Sequence, residues 1–187
     1  MTATVTQGGR RDAVRNYHRI LDAARDVLGE SGAEASMEEI AGRAGVGVGT
    51  VYRRFVSKDA MIDELVRLVM DEVITAADRA LARADGAGLE EFLRALGQSF
   101  ADHARYADLL LDRPVSPCAT ERVRIAVTEL TARAVAAGTV GPGVTAADTT
   151  ALIRALRGLV QATREMPPQD WGRFLDLHLA GMRAATP

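Results

Sequence analysis

The stretch Ser36 to Phe55, SMEEIAGRAGVGVGTVYRRF, decides how this chain folds. Its opening Ser36-Met37-Glu38-Glu39 has the form of a capping box. The Ser36 hydroxyl can accept from the Glu39 amide while the Glu39 carboxylate reaches back to the Ser36 amide. The spacing predicts a short helix from there with Ile40 and Ala44 inward, ended at Gly45, where a left-handed backbone costs glycine little. After a tight turn through Val46 and Gly47, a second short helix runs from about Val48 to Phe55. Val51 and Phe55 fall one turn apart on its buried side, leaving Val48, Thr50, Tyr52, Arg53 and Arg54 wholly or partly outward. Small Ala41 and Ala44 suit a close helix crossing, and Val46 suits a hydrophobic plug. Two short helices joined by a glycine turn form a helix-turn-helix, which projects its second helix far enough to enter a DNA major groove.

Outward from this motif the periodicity stays helical. Upstream, Tyr17, Ile20, Leu21, Ala24, Val27 and Leu28 recur at threes and fours, which predicts a helix over about Asp12 to Leu28. Residues 1 to 9 have coil composition and read as a loose arm. Downstream, Ser57 reads as the N-cap of a long helix, with Asp59 in its first turn and an apolar face from Met61 to Ile74, lasting to about Ala84. Asp85-Gly86-Ala87-Gly88 interrupts the chain. Further helices are expected over about Leu89 to His103, Tyr106 to Leu111, Ala119 to Ala137, Thr145 to Glu165 and Gln169 to Ala184. Breaks fall at Pro114, Pro117, Gly138 to Gly143 and Pro167-Pro168. The expectation is an all-α chain of about nine helices. Its parts would be an arm over 1–9, a helix-turn-helix domain over 10–58 and a helical effector-binding and dimerisation domain over 59–187.

Composition agrees and excludes several classes. The 187 residues are 48% hydrophobic and only 4% aromatic, rich in Ala, Leu and Arg, which form helices rather than strands. No apolar run approaches the roughly 20 residues that cross a bilayer, and the start lacks the apolar core of a signal peptide, so a cytoplasmic location without membrane contact is expected. The net charge of -2 conceals an asymmetry. Residues 1 to 58 hold nine Arg/Lys against seven Asp/Glu, and the remainder 14 against 18. Arg10, Arg11, Arg15 and Arg19 stand against Asp12 alone, and Arg53, Arg54 and Lys58 have no acid among them. Two basic patches thus bracket the N-terminal third, and on charge alone they are as consistent with two solvated faces as with contact to a polyanion.

The stretch from Ile20 to Leu65 closely resembles the N-terminal domain of TetR-family repressors. The family's I-x-x-A-A first helix, I-A-x-x-A-G-V turn, G-T-x-Y-x-x-F reading helix and following S-K appear here in order. They are Ile20-Ala23-Ala24, then Ile40-Ala41-Ala44-Gly45-Val46, then Gly49-Thr50-Tyr52-Phe55, and Ser57-Lys58. The resemblance implies a homodimeric regulator, more often a repressor than an activator, that leaves a double-stranded DNA operator when a small-molecule effector binds. It places Thr50, Tyr52 and Lys58 at phosphates and Val48 and Arg53 near base edges. Arg53 could pair bidentately with guanine, and Lys58 at a helix start suits an anion. Two departures stand out: Gly47 replaces a usual Ser or Thr cap and offers no hydroxyl, and Val48 cannot hydrogen bond but can meet a thymine methyl. Arg10, Arg11, Arg15 and Arg54 complete the expected DNA-binding set.

Other constellations were weighed for chemistry. His18, His103 and His178 lie too far apart for a metal site, and no cofactor motif occurs. Ser99, Asp102 and His103 lack a nucleophile elbow or oxyanion hole, so no catalytic group is assigned. The rival classes are a DNA-binding activator, a ligand-independent regulator, and a small-molecule enzyme carrying an incidental helix-turn-helix. Gly45 to Gly49 follows no strand and precedes no Lys-Ser/Thr, so it is no phosphate loop. The single cysteine, Cys118, is expected to be a buried, inert thiol. Phe100, His103 and Tyr106 are candidate effector contacts, with Arg124, Thr128 and Gln161 as weaker ones. A four-helix dimer interface is expected from Leu152, Leu156, Leu159, Leu175, His178, Leu179 and Met182, with Ala155 and Gly158 permitting close approach.

Overall fold

Caps and breakers set the helix ends in a computed structural model that describes residues 5–111, 113–162 and 169–186. The helices are α1 (Val5–Ser31), α2 (Met37–Ala44), α3 (Val48–Arg54), α4 (Lys58–Leu81), α5 (Gly88–His103), α6 (Ala107–Leu111), α7 (Pro117–Ala136), α8 (Ala146–Ala162) and α9 (Gln169–Ala184). Short 3-10 turns, Gly32–Glu34 and Ala104–Tyr106, follow α1 and α5, and no strand occurs among the described residues. The all-α reading is therefore correct, with nine α-helices among the described residues.

The capping box forms as the sequence requires: the Glu39 amide donates to the Ser36 hydroxyl at 3.2 Å and the Ser36 amide to the Glu39 carboxylate at 2.8 Å. Thr145 and Asp148 make the same reciprocal pair ahead of α8, at 3.3 and 2.9 Å. Pro117 occupies the first turn of α7, where its missing N–H costs nothing. Ser57 caps α4 by accepting from the Ala60 amide at 3.1 Å.

The chain divides into two compact units, Met1–Val66 with Asp108–Arg113, and Arg67–Ala107 with Pro114–Pro187. This differs from the expected division after residue 58. Met61, Ile62, Leu65 and Val66 are buried and belong to the first unit, so the start of α4 is part of that core. Arg113 also joins it, because its guanidinium binds the Asp59 carboxylate and reaches Asp63 at 3.4 Å. Within this unit α1 packs on α2 and α2 on α3, burying Ile20, Leu28, Ile40, Val51 and Phe55.

The loose arm expected over residues 1–9 is also corrected in part. Val5 to Gly9 are helical and continue α1, while residues 1–4 lie outside the described set. Once the apolar stripe from Tyr17 to Leu28 fixes the helix, each added N-terminal residue brings a backbone hydrogen bond without a new nucleation cost, and this outweighs the coil preference of Gly8-Gly9.

In the second unit α5 contacts α7, α8 and α9, so that Phe92, Leu93 and Leu96 are enclosed with Leu130, Leu152, Leu175 and Leu179. The Thr131 and Thr149 hydroxyls satisfy each other inside it at 2.9 Å, and Thr131 also donates to the Val127 carbonyl. Trp171 lies against Gly97 so closely that a Cβ there would sit 2.4 Å from the indole. The break at Pro167-Pro168 and the last expected turn of α8, to Glu165, lie outside the described residues.

Candidate nucleic-acid interface

The turn between α2 and α3 depends on one glycine. Gly45 takes φ 63° and ψ 38°, and its amide closes α2 onto the Ala41 and Gly42 carbonyls. Gly47 then adopts an extended backbone and its carbonyl accepts from the Thr50 amide at 2.8 Å, which starts α3. Val51 is fully buried and Phe55 nearly so. Those two anchors fix which side of α3 faces away from the core. On that side Val48 is 39% and Tyr52 44% exposed, one helical turn apart, and Val56 just beyond the helix is 83% exposed. At Gly47 and Gly49 nothing lies within 4 Å of where a Cβ would stand, so the backbone itself is open to close approach.

The polar candidates divide into free and engaged groups. Arg53 is exposed and donates to the Thr50 hydroxyl at 3.1 Å, so the two act as a linked pair. Arg11 and Arg15 are exposed on α1, with Arg15 only loosely paired to Asp12 at 3.9 Å. Arg10 lies on α1 too, but its side chain is outside the described set. Arg54 instead lies 4.5 Å over the Tyr17 ring, a cation–π contact. Tyr17 in turn stacks on Phe55 and donates its hydroxyl to Glu64. Lys58 donates to the Ala33 and Ala35 carbonyls, the latter at 2.9 Å, and so ties the segment after α1 to the start of α4. Each of these two cations therefore has a structural bond that the sequence reading did not foresee.

Arg43 was missed altogether. It grips Glu30 through two nitrogens at 2.6 and 3.1 Å and pins α2 to α1, a partnership of residues 13 apart that no local pattern announces. Val56, 83% exposed just past α3, was not singled out in the sequence. Electrostatics here follow simple donors: the Ser36 amide, then its hydroxyl, hold the Glu39 carboxyl below its ordinary pKa. The Arg113 guanidinium does the same to Asp59.

The remaining candidates lie in the second unit and do not converge. His103 is buried, with Nδ1 2.5 Å from the Ser99 carbonyl; a carbonyl only accepts, so Nδ1 carries the proton. Its Nε2 lies 3.8 Å from Glu72, and Tyr106, also buried, packs edge-on against the ring. Phe100 is half-buried against the core. Arg124 is exposed and paired with Glu121, Thr128 is exposed and bonded to the Arg124 carbonyl, and Gln161 is half-buried on α8. A groove of about 510 Å³ does open along α4 and α5, walled by Leu68, Val73 and Leu96 with Asp71, Glu72, Ser99 and Asp102, but none of those six candidates lines it.

The expected dimer residues differ in their burial within the chain. Leu152, Leu156, Leu175 and Leu179 are buried within the chain's own second unit, because helical periodicity identifies an apolar stripe without saying what covers it. Leu159 and Met182 are half-buried, and His178 is exposed, with Nδ1 donating to the Phe174 carbonyl at 2.8 Å. The outward side of α8 carries Ala151, Ala155, Gly158 and Ala162, and that of α9 carries Leu177, Ala180, Gly181 and Ala184. Cys118 is exposed, not buried as expected, since it sits in the first turn of α7 beyond the apolar residues that turn inward. Among the described residues there is no helix long and apolar enough to cross a membrane, and no cluster of three or more metal-ligating side chains.

A tight glycine turn, a buried anchor pair and an outward reading surface on the second helix define the helix-turn-helix class of regulatory protein. Residues 20–65 match the family model described as bacterial regulatory proteins of the tetR family. A TetR transcription regulatory protein from Mycobacterium vanbaalenii is 33% identical, with a TM-score of 0.63 over 83% of this chain and 96% of that one. A TetR transcriptional regulator from Streptomyces coelicolor is 28% identical, with a TM-score of 0.66 over 89% of this chain and 97% of that one. An HTH-type transcriptional regulator of Staphylococcus aureus is 36% identical over 67 residues, 35% of this chain and 36% of that relative's length. The chain belongs to the TetR family of transcriptional regulators.

Proposed function

We propose that the protein is a homodimeric, sequence-specific DNA-binding repressor whose α3 enters the major groove of a palindromic operator and which a small molecule releases. The observation that carries this reading is the outward face of α3, where Val48, Gly49, Tyr52 and Arg53 are exposed while Val51 and Phe55 anchor the helix in the core. Phosphate contacts come from Thr50, Tyr52 and the arginines of α1, which orient the protein without reading sequence. Arg53 is placed to address a base edge.

Dimerisation uses the outward sides of α8 and α9. Their small residues let helices from two copies approach closely, and Leu177, 61% exposed, supplies apolar area. The groove along α4 and α5 is the effector site, since its volume suits a small molecule and its wall combines five apolar residues with seven polar or charged ones, which favours a polar effector with an apolar part. Helix α4 runs without a break from Lys58 to Leu81, and its Leu68 to Ala76 portion lines that groove. A differential affinity of about 1 to 3 kcal/mol between DNA-competent and DNA-incompetent states changes operator binding by about 5- to 150-fold.

Selection of bound duplexes from a random pool tests the proposal. The expected result is a two-fold symmetric site with half-sites about one helical turn apart. Absence of enrichment, or a site without symmetry, would overturn it.

A further inference from the structure

We propose that α3 reads thymine through its 5-methyl group, with Val48 as the sensing side chain, so that each operator half-site contains a thymine whose methyl is required. This rests on the DNA-binding reading above and deepens it. Val48 is 39% exposed, has no hydrogen-bonding atom in its side chain and stands on the outward face of α3. Tyr52, one turn on, adds a second exposed apolar surface to that face. The polar groups beside them, Arg53 and Thr50, are bonded to each other at 3.1 Å, so the centre of the reading face is apolar while its surroundings are cationic.

That combination selects the occupant. The charge of exposed Arg11 and Arg15 complements a phosphate backbone, and between phosphates the one apolar group on any base edge in the major groove is the thymine methyl. Against guanine O6 and N7, or cytosine N4, Val48 would strip water from a polar group and offer nothing in return, which disfavours those bases at the same position. Reach is the remaining requirement, because valine is short. Gly47 and Gly49 meet it: both flank Val48, and neither has any atom within 4 Å of its missing Cβ, so the backbone can descend toward the base edge.

The test is a cycle between protein and DNA. Each thymine of the selected site is replaced in turn by deoxyuridine, which removes only the methyl, and binding is measured for the wild type and for Val48→Ala. Burial of one methyl group corresponds to about a 4-fold change in affinity per half-site, or roughly 15-fold for a symmetric pair. The expected result is one thymine position whose replacement costs wild type this much and leaves Val48→Ala unchanged. Val48 is 39% exposed, so alanine there removes little core packing, and the deoxyuridine series on wild type alone remains decisive whatever the variant does. A half-site in which no deoxyuridine weakens wild type, or one that weakens both proteins equally, overturns methyl reading while leaving sequence-specific binding intact. Failure of the wild type to enrich any sequence overturns both.

Discussion

Replacing Gly45 and Gly42 by alanine, one at a time, should move stability in opposite directions although the two residues lie three apart at the end of one helix. Gly45 sits at φ 63°, where an alanine Cβ crowds the following carbonyl at a cost of about 1 to 2 kcal/mol. The new Cβ would also stand 2.8 Å from Nη2 of Arg19, the far end of a flexible side chain that can swing away cheaply. Gly42 is inside α2, exposed, with nothing within 4 Å of its missing Cβ, so alanine there should stabilise by roughly 0.5 to 1 kcal/mol through reduced chain entropy. The two variants should therefore differ by about 2 kcal/mol. Urea melts followed by circular dichroism should separate their midpoints by about 1 M if unfolding exposes a small unit with a slope near 1 to 2 kcal/mol/M. Hydrogen exchange should localise the loss in Gly45→Ala to the amides of α2 and α3. Equal midpoints, or a Gly42→Ala as damaging as Gly45→Ala, would refute the assignment of the turn to a left-handed glycine.

Gly49→Ala should raise stability by up to about 1 kcal/mol yet weaken operator binding, because its Cβ meets nothing in the free protein but would fill the path of approach to DNA; unchanged affinity in a gel-shift titration would contradict this. Lys58→Met should lower stability by about 1 kcal/mol through loss of the Ala33 and Ala35 carbonyl bonds, and would reduce the salt slope of DNA binding by about 1 per subunit only if the ammonium also touches phosphate. Arginine at Gly158, on the outward side of α8, should give a folded monomer by light scattering, whereas Leu156→Arg should unfold the second unit, since Leu156 is fully buried. Glu39 has a lowered pKa in the folded chain, so its capping contribution is complete above the ordinary carboxylate range and is lost as pH falls through and below about 4; Glu39→Gln should flatten that part of a melting-temperature profile.

What the sequence made legible were interactions closed within a few residues. The two caps, Ser36 with Glu39 and Thr145 with Asp148, and the glycine turn involve partners no more than four positions apart, whereas Pro117, read as a break before a helix from Ala119, is the first residue of α7. The outward direction of Val48 and Tyr52 followed in the same way from Val51 and Phe55 facing inward. Partnerships across the chain were not legible. Arg54 on Tyr17, Lys58 on Ala33 and Ala35, and Arg113 on Asp59 join residues 23 to 54 positions apart, and nothing local distinguishes such a cation from a solvated one. The leucines of α8 and α9 show a related limit. An apolar stripe at Leu152 and Leu156 or at Leu175 and Leu179 demands burial but does not name the surface that provides it. The opposite faces mix exposed alanine and glycine with Arg154 and Arg157 on α8 and with Arg173, Asp176 and Arg183 on α9, so composition alone does not mark them either.

The first unit is not a continuous piece of chain, because Asp108–Arg113 belongs to it. A hybrid regulator spliced within α4, joining this reading head to a foreign sensing half, would discard that segment and leave Asp59 and Asp63 opposite whatever side chain the donor supplies in place of Arg113. Modular exchange in this protein therefore has to graft two segments, and gene fusion at a single junction can preserve every residue of α3 while removing a clasp on the helix that follows it.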